Sequence, residues 1–272
     1  MTAPLFSVRL GLGTWTMGER RRDRACEVAA LRLGLDLGLS LLDTAEMYGE
    51  GGAEEVVGEA IAGRRDDVFL VSKVYPHNAS FKGTIAACER SLARLRTDRI
   101  DLYLLHWRGG VPLADTVGAF TRLQREAKIL RWGVSNFDVA DLEELVALPG
   151  GEACAANQVY FSLGERGVEW SLLPWLRARG MPLMAYSPLG QGRLLGHPAL
   201  ARAAATLGAT PAQVALAWLL THEGVVAVPQ SSNPAHIRQI AAVRELVLDR
   251  STQAALETAF PAPTGPGALA ML

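Results

Sequence analysis

Residues 68–106, VFLVSKVYPHNASFKGTIAACERSLARLRTDRIDLYLLH, contain two short apolar runs with a longer amphipathic segment between them. Residues 68–72 and 100–105 are rich in leucine and β-branched residues, which is typical of buried strands. Residues 84–95 repeat apolar side chains at helical spacing. A strand, a helix and a second strand in this order predict two parallel strands joined by a crossover helix.

The same unit recurs along the whole chain. Further short apolar runs lie at residues 8–12, 40–42, 130–134, 155–159, 182–186 and 225–228. Further helical patterns lie at residues 24–39, 54–62, 113–127, 139–147, 170–179, 211–220 and 234–243. Eight alternating units favour a closed (β/α)8 TIM barrel, because closure leaves no free sheet edge. An open doubly wound sheet is the alternative. We expect one domain over residues 1–272, with an irregular tail at 261–272 that is rich in Pro, Gly and Ala.

Composition narrows the class of protein. The 272 residues are 49% hydrophobic and 20% charged, with a net charge of -1, which argues against nucleic acid or an anionic membrane as the main partner. No apolar run is long enough to span a bilayer, and residues 1–7 lack the pattern of a signal peptide. Cys26, Cys88 and Cys154 are widely spaced, so we interpret each as a small buried hydrophobic residue in a reducing cytoplasm.

Polar residues lie at the carboxyl end of nearly every predicted strand. They are Asp43, Lys73, His106, Ser135, Asn136, Gln158, Tyr186, Ser187 and Gln230. In a (β/α)8 barrel the carboxyl ends of all strands meet at one face, where functional groups gather. One polar residue after a strand is usually a solvated loop, but a series of them predicts a functional site. A buried, unpaired lysine would be costly, which makes Lys73 hard to explain by structure alone.

Segments of the sequence, taken in order, resemble those of the aldo-keto reductase family. They are LGLGTW (10–15), DTAEMYG (43–49), VSK (71–73), DLYLLHW (101–107), GVSNF (133–137), NQ (157–158) and YSPLGQG (186–192). The resemblance implies an enzyme that reduces an aldehyde or a ketone to an alcohol with NADPH. The chain would then be an NADP-dependent oxidoreductase that needs no metal.

The resemblance assigns four catalytic residues, and their chemistry agrees with it. Tyr48 would donate a proton to the developing alkoxide, although a free tyrosine, with a pKa of ~10, is a poor acid near neutrality. The ammonium of Lys73 would lower that pKa, and Asp43 would hold Lys73 charged and in place. His106 would hydrogen-bond the carbonyl oxygen and orient it.

The resemblance also implies the residues that contact the cofactor and the substrate. The expected cofactor contacts are Gly13, Thr14, Trp15, Ser135, Asn136, Gln158, Tyr186, Ser187, Pro188, Leu189, Gly190, Gln191, Gly192, Gln230, Ser231, Ser232, Asn233, His236 and Gln239. Among them, Ser135, Asn136 and Gln158 would hold the nicotinamide carboxamide, and Tyr186 would stack on its ring. The expected substrate contacts are Trp15, Tyr48, His106 and Trp107.

Two features depart from the family pattern. Gln230 and His236 stand where NADPH-preferring members usually carry a lysine and an arginine, so we expect a weaker preference for NADP, with NAD as an alternative cofactor. The segments before Val8 and after Phe260 are too short for the usual base hairpin and the long specificity loop. We therefore expect an open pocket for small or activated aldehydes.

Two other functions are compatible with parts of the sequence. A regulatory or structural protein of the same fold would bind the dinucleotide with little turnover. A phosphate-binding barrel of isomerase type would fit the fold alone, but it leaves Tyr48 and Gly49 unexplained. The sequence GLGTWT (11–16) lacks the third glycine of GxGxxG, which argues against a Rossmann site. We expect a monomer.

Overall fold

A computed structural model describes residues 5–272. In the segment 1–7, where we expected no signal peptide, residues 1–4 therefore lie outside the described residues. Within the described residues, eight strands form one parallel sheet in sequential order, β1 to β8. They are β1 (Leu12–Gly13), β2 (Leu41–Asp43), β3 (Phe69–Val74), β4 (Ile100–Leu105), β5 (Ile129–Ser135), β6 (Asn157–Tyr160), β7 (Leu183–Tyr186) and β8 (Val225–Ala227).

The sheet closes on itself between its first and last strands. Leu10 pairs with Ala227 and Gly13 with Gln230, both in parallel. The Gly11 N–H donates to the carbonyl of Ala227 at 2.9 Å. The predicted (β/α)8 barrel is therefore confirmed, and the open sheet is excluded.

Ten α-helices surround the barrel in residues 5–272. They are α1 (Arg24–Asp36), α2 (Gly52–Ala60), α3 (Phe81–Leu95), α4 (Leu113–Arg125), α5 (Val139–Ala147), α6 (Leu172–Ala178), α7 (Pro198–Leu207), α8 (Pro211–Leu220), α9 (Pro234–Ala242) and α10 (Arg250–Ala259). The sequence pattern did not predict α7 and α10, because alanine and polar residues leave few large apolar side chains to mark a period.

The core has two layers, which follow from the alternation of side chains along each strand. The barrel interior is filled by Leu41, Val71, Leu102, Leu104, Ala156, Met184, Val226 and Val228. At the amino-terminal end of the barrel, Phe6 packs edge-on against Phe69, with ring centroids 5.0 Å apart. A larger apolar layer lies between the strands and the helices. The filled interior leaves the carboxyl ends of the strands as the place for a site.

Local signals fix the ends of several helices. Thr210 forms a capping box with Gln213 at the start of α8, and the Asn233 side chain accepts from the Ala235 N–H at 2.8 Å at the start of α9. Gly38 and Gly180 follow helices with φ of 81° and 64°, as expected for residues that end a helix.

One expectation about the cysteines is wrong. Cys88 and Cys154 are buried, but Cys26 is exposed, because it lies on the outer side of α1. All three are free. Among residues 5–272, no single helix is long and apolar enough to cross a membrane. The pair α7 and α8, bent by 88° at a short break, reaches that length and composition only when taken together.

Candidate active site

Four predicted catalytic residues come together at the carboxyl end of the barrel. Asp43 ends β2, Lys73 lies in β3, and His106 directly follows β4. The Lys73 Nζ donates to Asp43 Oδ2 at 2.8 Å and lies 3.3 Å from the hydroxyl of Tyr48. The rings of Tyr48 and His106 meet edge-on with centroids 5.7 Å apart. These four residues, which are separated in the sequence, thus form one cluster, which we call the constellation.

Lys73 is completely buried and fully partnered. Besides Asp43 and Tyr48, its ammonium donates to the carbonyl oxygen of Thr44 at 2.8 Å. Burial disfavours the charged form, but the charges and hydrogen bonds of Asp43 and Tyr48 outweigh it, so the pKa of Lys73 is raised above its usual value. Lys73 therefore carries a positive charge at neutral pH. The contact with Thr44 could not be predicted from residue types, since it uses a backbone carbonyl.

The pKa of Tyr48 departs from the sequence expectation. Loss of solvent around the hydroxyl raises this pKa, and the Asp43 charge adds to the rise. The Lys73 ammonium acts in the opposite direction, as predicted, but it does not reverse the shift. Tyr48 consequently stays protonated at neutral pH. The expectation of a net lowering was wrong, because a sequence contains no measure of desolvation.

His106 is neutral at neutral pH. Burial lowers its pKa well below the usual value, and the nearby charge of Lys73 lowers it further. Its Nδ1 is buried and has no hydrogen-bond partner among the described residues. A neutral imidazole next to Tyr48 can form a hydrogen bond to a carbonyl oxygen without competing for the proton. This arrangement fits the role predicted for His106.

The turn that carries Tyr48 is held in an uncommon conformation. Gly49, Glu50 and Gly51 have φ values of 55°, 54° and 92°, in the left-handed region that glycine tolerates best. A Cβ at Gly51 would lie 2.6 Å from Cδ and Nε of Arg94. The guanidinium of Arg94 is in turn paired with the fully buried Glu54 at 2.6 Å. The turn therefore depends on glycine and on the close packing of Arg94.

The predicted nicotinamide contacts lie next to the catalytic group. The Tyr186 hydroxyl donates to Asn136 Oδ1 at 2.9 Å. The Asn136 amide donates to the carbonyl oxygen of His106 at 3.1 Å and to Ser135 Oγ at 3.2 Å. Gln158 donates from Nε2 to Asp43 Oδ1 at 2.8 Å. These side chains from β5, β6 and β7 thus form a connected polar wall beside the constellation.

A cavity of about 230 Å³ lies between the loop after β7, the segment after β8 and helices α8 and α9. Five predicted cofactor residues line it, namely Leu189, Gln230, Ser231, His236 and Gln239. The start of α8 and Leu195 also line it. The helix at 211–220 was predicted, but its first turn was not among the predicted cofactor contacts, because which helix faces a cavity depends on tertiary packing.

The segment between β7 and α7 has the backbone of a close-fitting loop. Ser187, Gly190, Gln191 and Gly192 have positive φ values of 45°, 56°, 56° and 85°. Such residues turn the backbone sharply and expose its amides. The loop lies directly after Tyr186 and contributes Leu189 to the cavity, so its position fits the cofactor contacts that we predicted for residues 187–192.

Several predicted cofactor residues form hydrogen bonds with other groups of the protein. Gly13 and Thr14 lie in or just after β1, and Thr14 Oγ1 donates to the Asp43 carbonyl oxygen at 3.1 Å. Asn233 uses its side-chain oxygen to cap α9, and Ser231 Oγ lies 3.2 Å from His236 Nδ1. Ser232 and Pro188 are placed in the same two loops without a side-chain hydrogen bond of their own.

The mouth of the site is open and aromatic. Trp15 is 48% exposed. Trp107 packs against His106 and Tyr75, with ring centroids 5.0 and 5.1 Å apart. Tyr75 was not among the predicted contacts. The tail returns to this mouth, since the Leu272 N–H donates to the Tyr186 hydroxyl at 3.3 Å. The tail was expected to be too short for the long specificity loop, and this contact shows only that its last residue lies beside Tyr186.

Residues 5–272 contain no group of three or more His, Cys, Asp or Glu side chains that could hold a metal ion. The lysine, tyrosine, amide and hydroxyl groups around the constellation are hydrogen-bond donors and acceptors. Together with the cavity after β8, they suit an extended organic cofactor with amide and phosphate groups.

Known proteins of one family match almost the whole chain. A family model described as the aldo/keto reductase family matches residues 9–259. The methylglyoxal reductase YeaE of Escherichia coli K12 is 53% identical over 268 residues, which cover 97% of this chain and 94% of that protein. The methylglyoxal reductase DkgB of Salmonella typhimurium is 32% identical, with coverage of 94% and 92%.

Solved structures show the same likeness. An aldo/keto reductase from Klebsiella pneumoniae, crystallised with NADP and acetate, superimposes with a TM-score of 0.96 at 49% identity. The match covers 97% of this chain and 95% of that one. A second structure of an aldo-keto reductase from the same organism was crystallised with NADPH, at the same TM-score and identity.

Proposed function

The chain belongs to the aldo/keto reductase family, and from that premise we propose that it reduces methylglyoxal and other small oxoaldehydes. It is an NADP-dependent oxidoreductase that converts a carbonyl group to an alcohol. The observation that carries the proposal is the contact of the Lys73 ammonium with both Asp43 and Tyr48. The names of the relatives and the open mouth beside Trp15 support the small substrate.

Tyr48 is the proposed proton donor. Its raised pKa keeps the phenol protonated at neutral pH, so it can give a proton to the oxygen that becomes the alcohol. Lys73 stabilises the phenolate that remains, since its ammonium lies 3.3 Å away. Asp43 keeps that ammonium charged and fixed.

His106 is the proposed orienting group. It lies against Tyr48 and is neutral because of its lowered pKa. A neutral imidazole N–H can donate to the substrate oxygen and hold it within reach of the phenol. Trp15 and Trp107 would form apolar walls on either side of a small aldehyde.

The cofactor residues fit NADPH. When bound, the nicotinamide supplies the hydride that reduces the carbonyl carbon. Ser135, Asn136 and Gln158 would hold its carboxamide, and Tyr186 would lie under its ring. The cavity beside β8 would take the adenosine end, where Ser231 and His236 are the candidates to contact the 2′-phosphate. We also propose that NADPH is preferred over NADH, but less strongly than in family members that carry a lysine and an arginine in place of Gln230 and His236.

The first test follows NADPH oxidation with methylglyoxal and para-nitrobenzaldehyde. The Tyr48→Phe variant should lose turnover by a factor of roughly 10²–10⁴, as expected for a general acid, while it still binds NADPH. Tyr103→Phe is the matched control, because Tyr103 packs on Phe120 in the helical layer, away from the mouth. Equal turnover in the parent and Tyr48→Phe would contradict the role of Tyr48.

Two other results would change the proposal. Binding of NADPH without turnover of any aldehyde would favour a regulatory or structural role. A bulky steroid ketone reduced far better than every small aldehyde would contradict the open pocket.

The setting of the protein is also a proposal. The three free cysteines accord with a reducing cytoplasm. The net charge of -1 gives no support to a nucleic-acid or membrane partner. We propose that a monomer suffices, because all four catalytic residues come from one chain.

A further inference from the structure

Gln158 contacts the catalytic carboxylate directly. It lies on β6, is 1% exposed, and its Nε2 donates to Asp43 Oδ1 at 2.8 Å, although the two residues are 115 positions apart. The other oxygen, Asp43 Oδ2, accepts from Lys73 Nζ at 2.8 Å. Each oxygen of the carboxylate therefore has its own buried donor.

This contact fixes the orientation of the Gln158 amide. An ionised carboxylate can only accept hydrogen bonds, so the NH₂ group of Gln158 must face Asp43. Hydrogen bonds to a charged partner are roughly twice as strong as those between neutral groups. The second contact of Nε2, to Met184 Sδ at 3.8 Å, involves a weak acceptor. The amide is therefore held in one orientation, with its carbonyl oxygen turned away from Asp43 and free to accept.

We propose that Gln158 is a positioning residue for proton transfer, which acts through Asp43 by weakening the negative field that Asp43 exerts on Tyr48. The proposal rests on the proposed role of Tyr48 and adds a second task to the contact with the cofactor that we predicted for Gln158. One amide would then serve both halves of the reaction, since its NH₂ donates to Asp43 and its carbonyl oxygen would be available to the carboxamide.

The electrostatics give the direction of the effect. The groups that face Tyr48 are Asp43 from β2, Lys73 from β3, His106 after β4 and Tyr186 from β7. Among them, the charge of Asp43 raises the pKa of Tyr48 and that of Lys73 lowers it. The positive end of the Gln158 amide dipole opposes the charge of Asp43. Without it, the phenol becomes a weaker acid and a slower proton donor.

Two variants separate this effect from simple binding of cofactor. Gln158→Met keeps the length of the side chain and removes the donor. Gln158→Glu keeps the shape, and because two buried carboxyl groups at this distance share one proton, it still donates to Asp43 as long as it stays protonated. We expect the alkaline limb of kcat, measured at saturating NADPH, to move to higher pH in Gln158→Met, and to move less in Gln158→Glu. For Gln158→Met we expect kcat near neutral pH to fall roughly tenfold, equivalent to about 1.4 kcal/mol.

The control is Gln124→Met, the same change at a half-buried glutamine far from the site, whose amide donates to the Leu130 carbonyl oxygen. It should leave the pH profile where it is. If Gln158→Met weakens NADPH binding but keeps the alkaline limb of the parent, Gln158 only holds the cofactor and the proposal is wrong.

A measurement without cofactor or turnover completes the test. Tyrosinate absorbance is titrated in the parent and in Tyr48→Phe, and the difference isolates the ionisation of Tyr48. The same difference in the Gln158→Met background should appear at higher pH, and coincident curves would overturn the proposal. This titration also distinguishes a failure of the proposed function from a failure of the role of Gln158. A parent protein that reduces no aldehyde would refute the proposed function, but the titration would still report the coupling of Gln158 to Tyr48.

Discussion

Replacing Lys73 by methionine should destabilise the protein as well as inactivate it. The Lys73 ammonium is completely buried and bonds Asp43 Oδ2 at 2.8 Å. Methionine has a similar length but no charge, so the variant leaves the carboxylate of Asp43 buried with only the Gln158 amide as a side-chain donor. The structure allows no solvent to replace the lost partner, since Asp43 is itself 3% exposed.

The size of the effect follows from the geometry. Two unit charges 2.8 Å apart attract by about 6 kcal/mol at an effective dielectric constant of ~20. The cost of burying both ions offsets much of this attraction, so the pair adds little net stability. Removal of one partner alone nevertheless leaves an uncompensated buried charge, which typically costs about 3–5 kcal/mol. We expect Lys73→Met and Asp43→Asn each to lose stability in this range.

The double variant Lys73→Met/Asp43→Asn is the decisive comparison, because it buries no charge at this place. Urea unfolding of all four proteins gives the free energies of unfolding for a double-mutant cycle. We expect the double variant to be more stable than the sum of the two single losses implies, by about 2–3 kcal/mol. A loss equal to that sum would refute the coupling between Lys73 and Asp43.

An exposed ion pair provides the control for this cycle. Arg108 bonds both Asp141 and Glu144 at 2.7 Å on the surface, with a side chain that is 37% exposed. Arg108→Met should cost at most about 1 kcal/mol, because solvent can take the place of the lost partner. A loss as large as that of Lys73→Met would mean that burial does not govern these energies.

Three further predictions concern pH, the catalytic turn and the cofactor. Because the pKa of Tyr48 is raised and that of His106 is lowered, the phenol is protonated and the imidazole neutral near neutrality. A plot of kcat/KM against pH should therefore be flat there, fall at alkaline pH as Tyr48 loses its proton, and fall on the acid side only well below neutrality, as His106 gains one. Gly51→Ala should lose more stability than Gly63→Ala in urea unfolding. Both have positive φ, which costs roughly 1–2 kcal/mol for alanine, but only the Cβ at Gly51 meets a neighbour, at 2.6 Å. His236→Arg should tighten NADPH about tenfold in a fluorescence titration and leave NADH unchanged, since only NADPH carries the 2′-phosphate.

The barrel could be predicted because the apolar patterns that mark its strands and helices are periodic and local in the sequence. Residues 68–106 contain a strand, a helix and a strand, and the structure has β3, α3 and β4 there. Helix ends were also predictable where a single residue decides them, as at Thr210 and Asn233. The helices α7 and α10 were missed, because their apolar residues are small or few and packing against the rest of the chain stabilises them.

The positions of the proposed catalytic residues followed from the fold, since strand ends of a parallel barrel meet at one face. Asp43, Lys73 and His106 needed only the correct assignment of β2, β3 and β4. Their hydrogen-bond partners were harder to predict. The carbonyl oxygen of Thr44 carries no residue signal, and the contact between Gln158 and Asp43 joins strands that face each other across the barrel.

The acidity of Tyr48 could not be predicted for a different reason. Residue types identify Lys73 as a neighbour that lowers the pKa of a phenol, and the structure agrees on the sign of that contribution. The net direction depends on how much solvent the phenol loses, which is a property of the assembled pocket. A phenol that stays protonated at neutral pH suits a proton donor, whereas one shifted far below its usual pKa would arrive without its proton. The same burial that makes Lys73 costly therefore keeps Tyr48 in the form that carbonyl reduction requires.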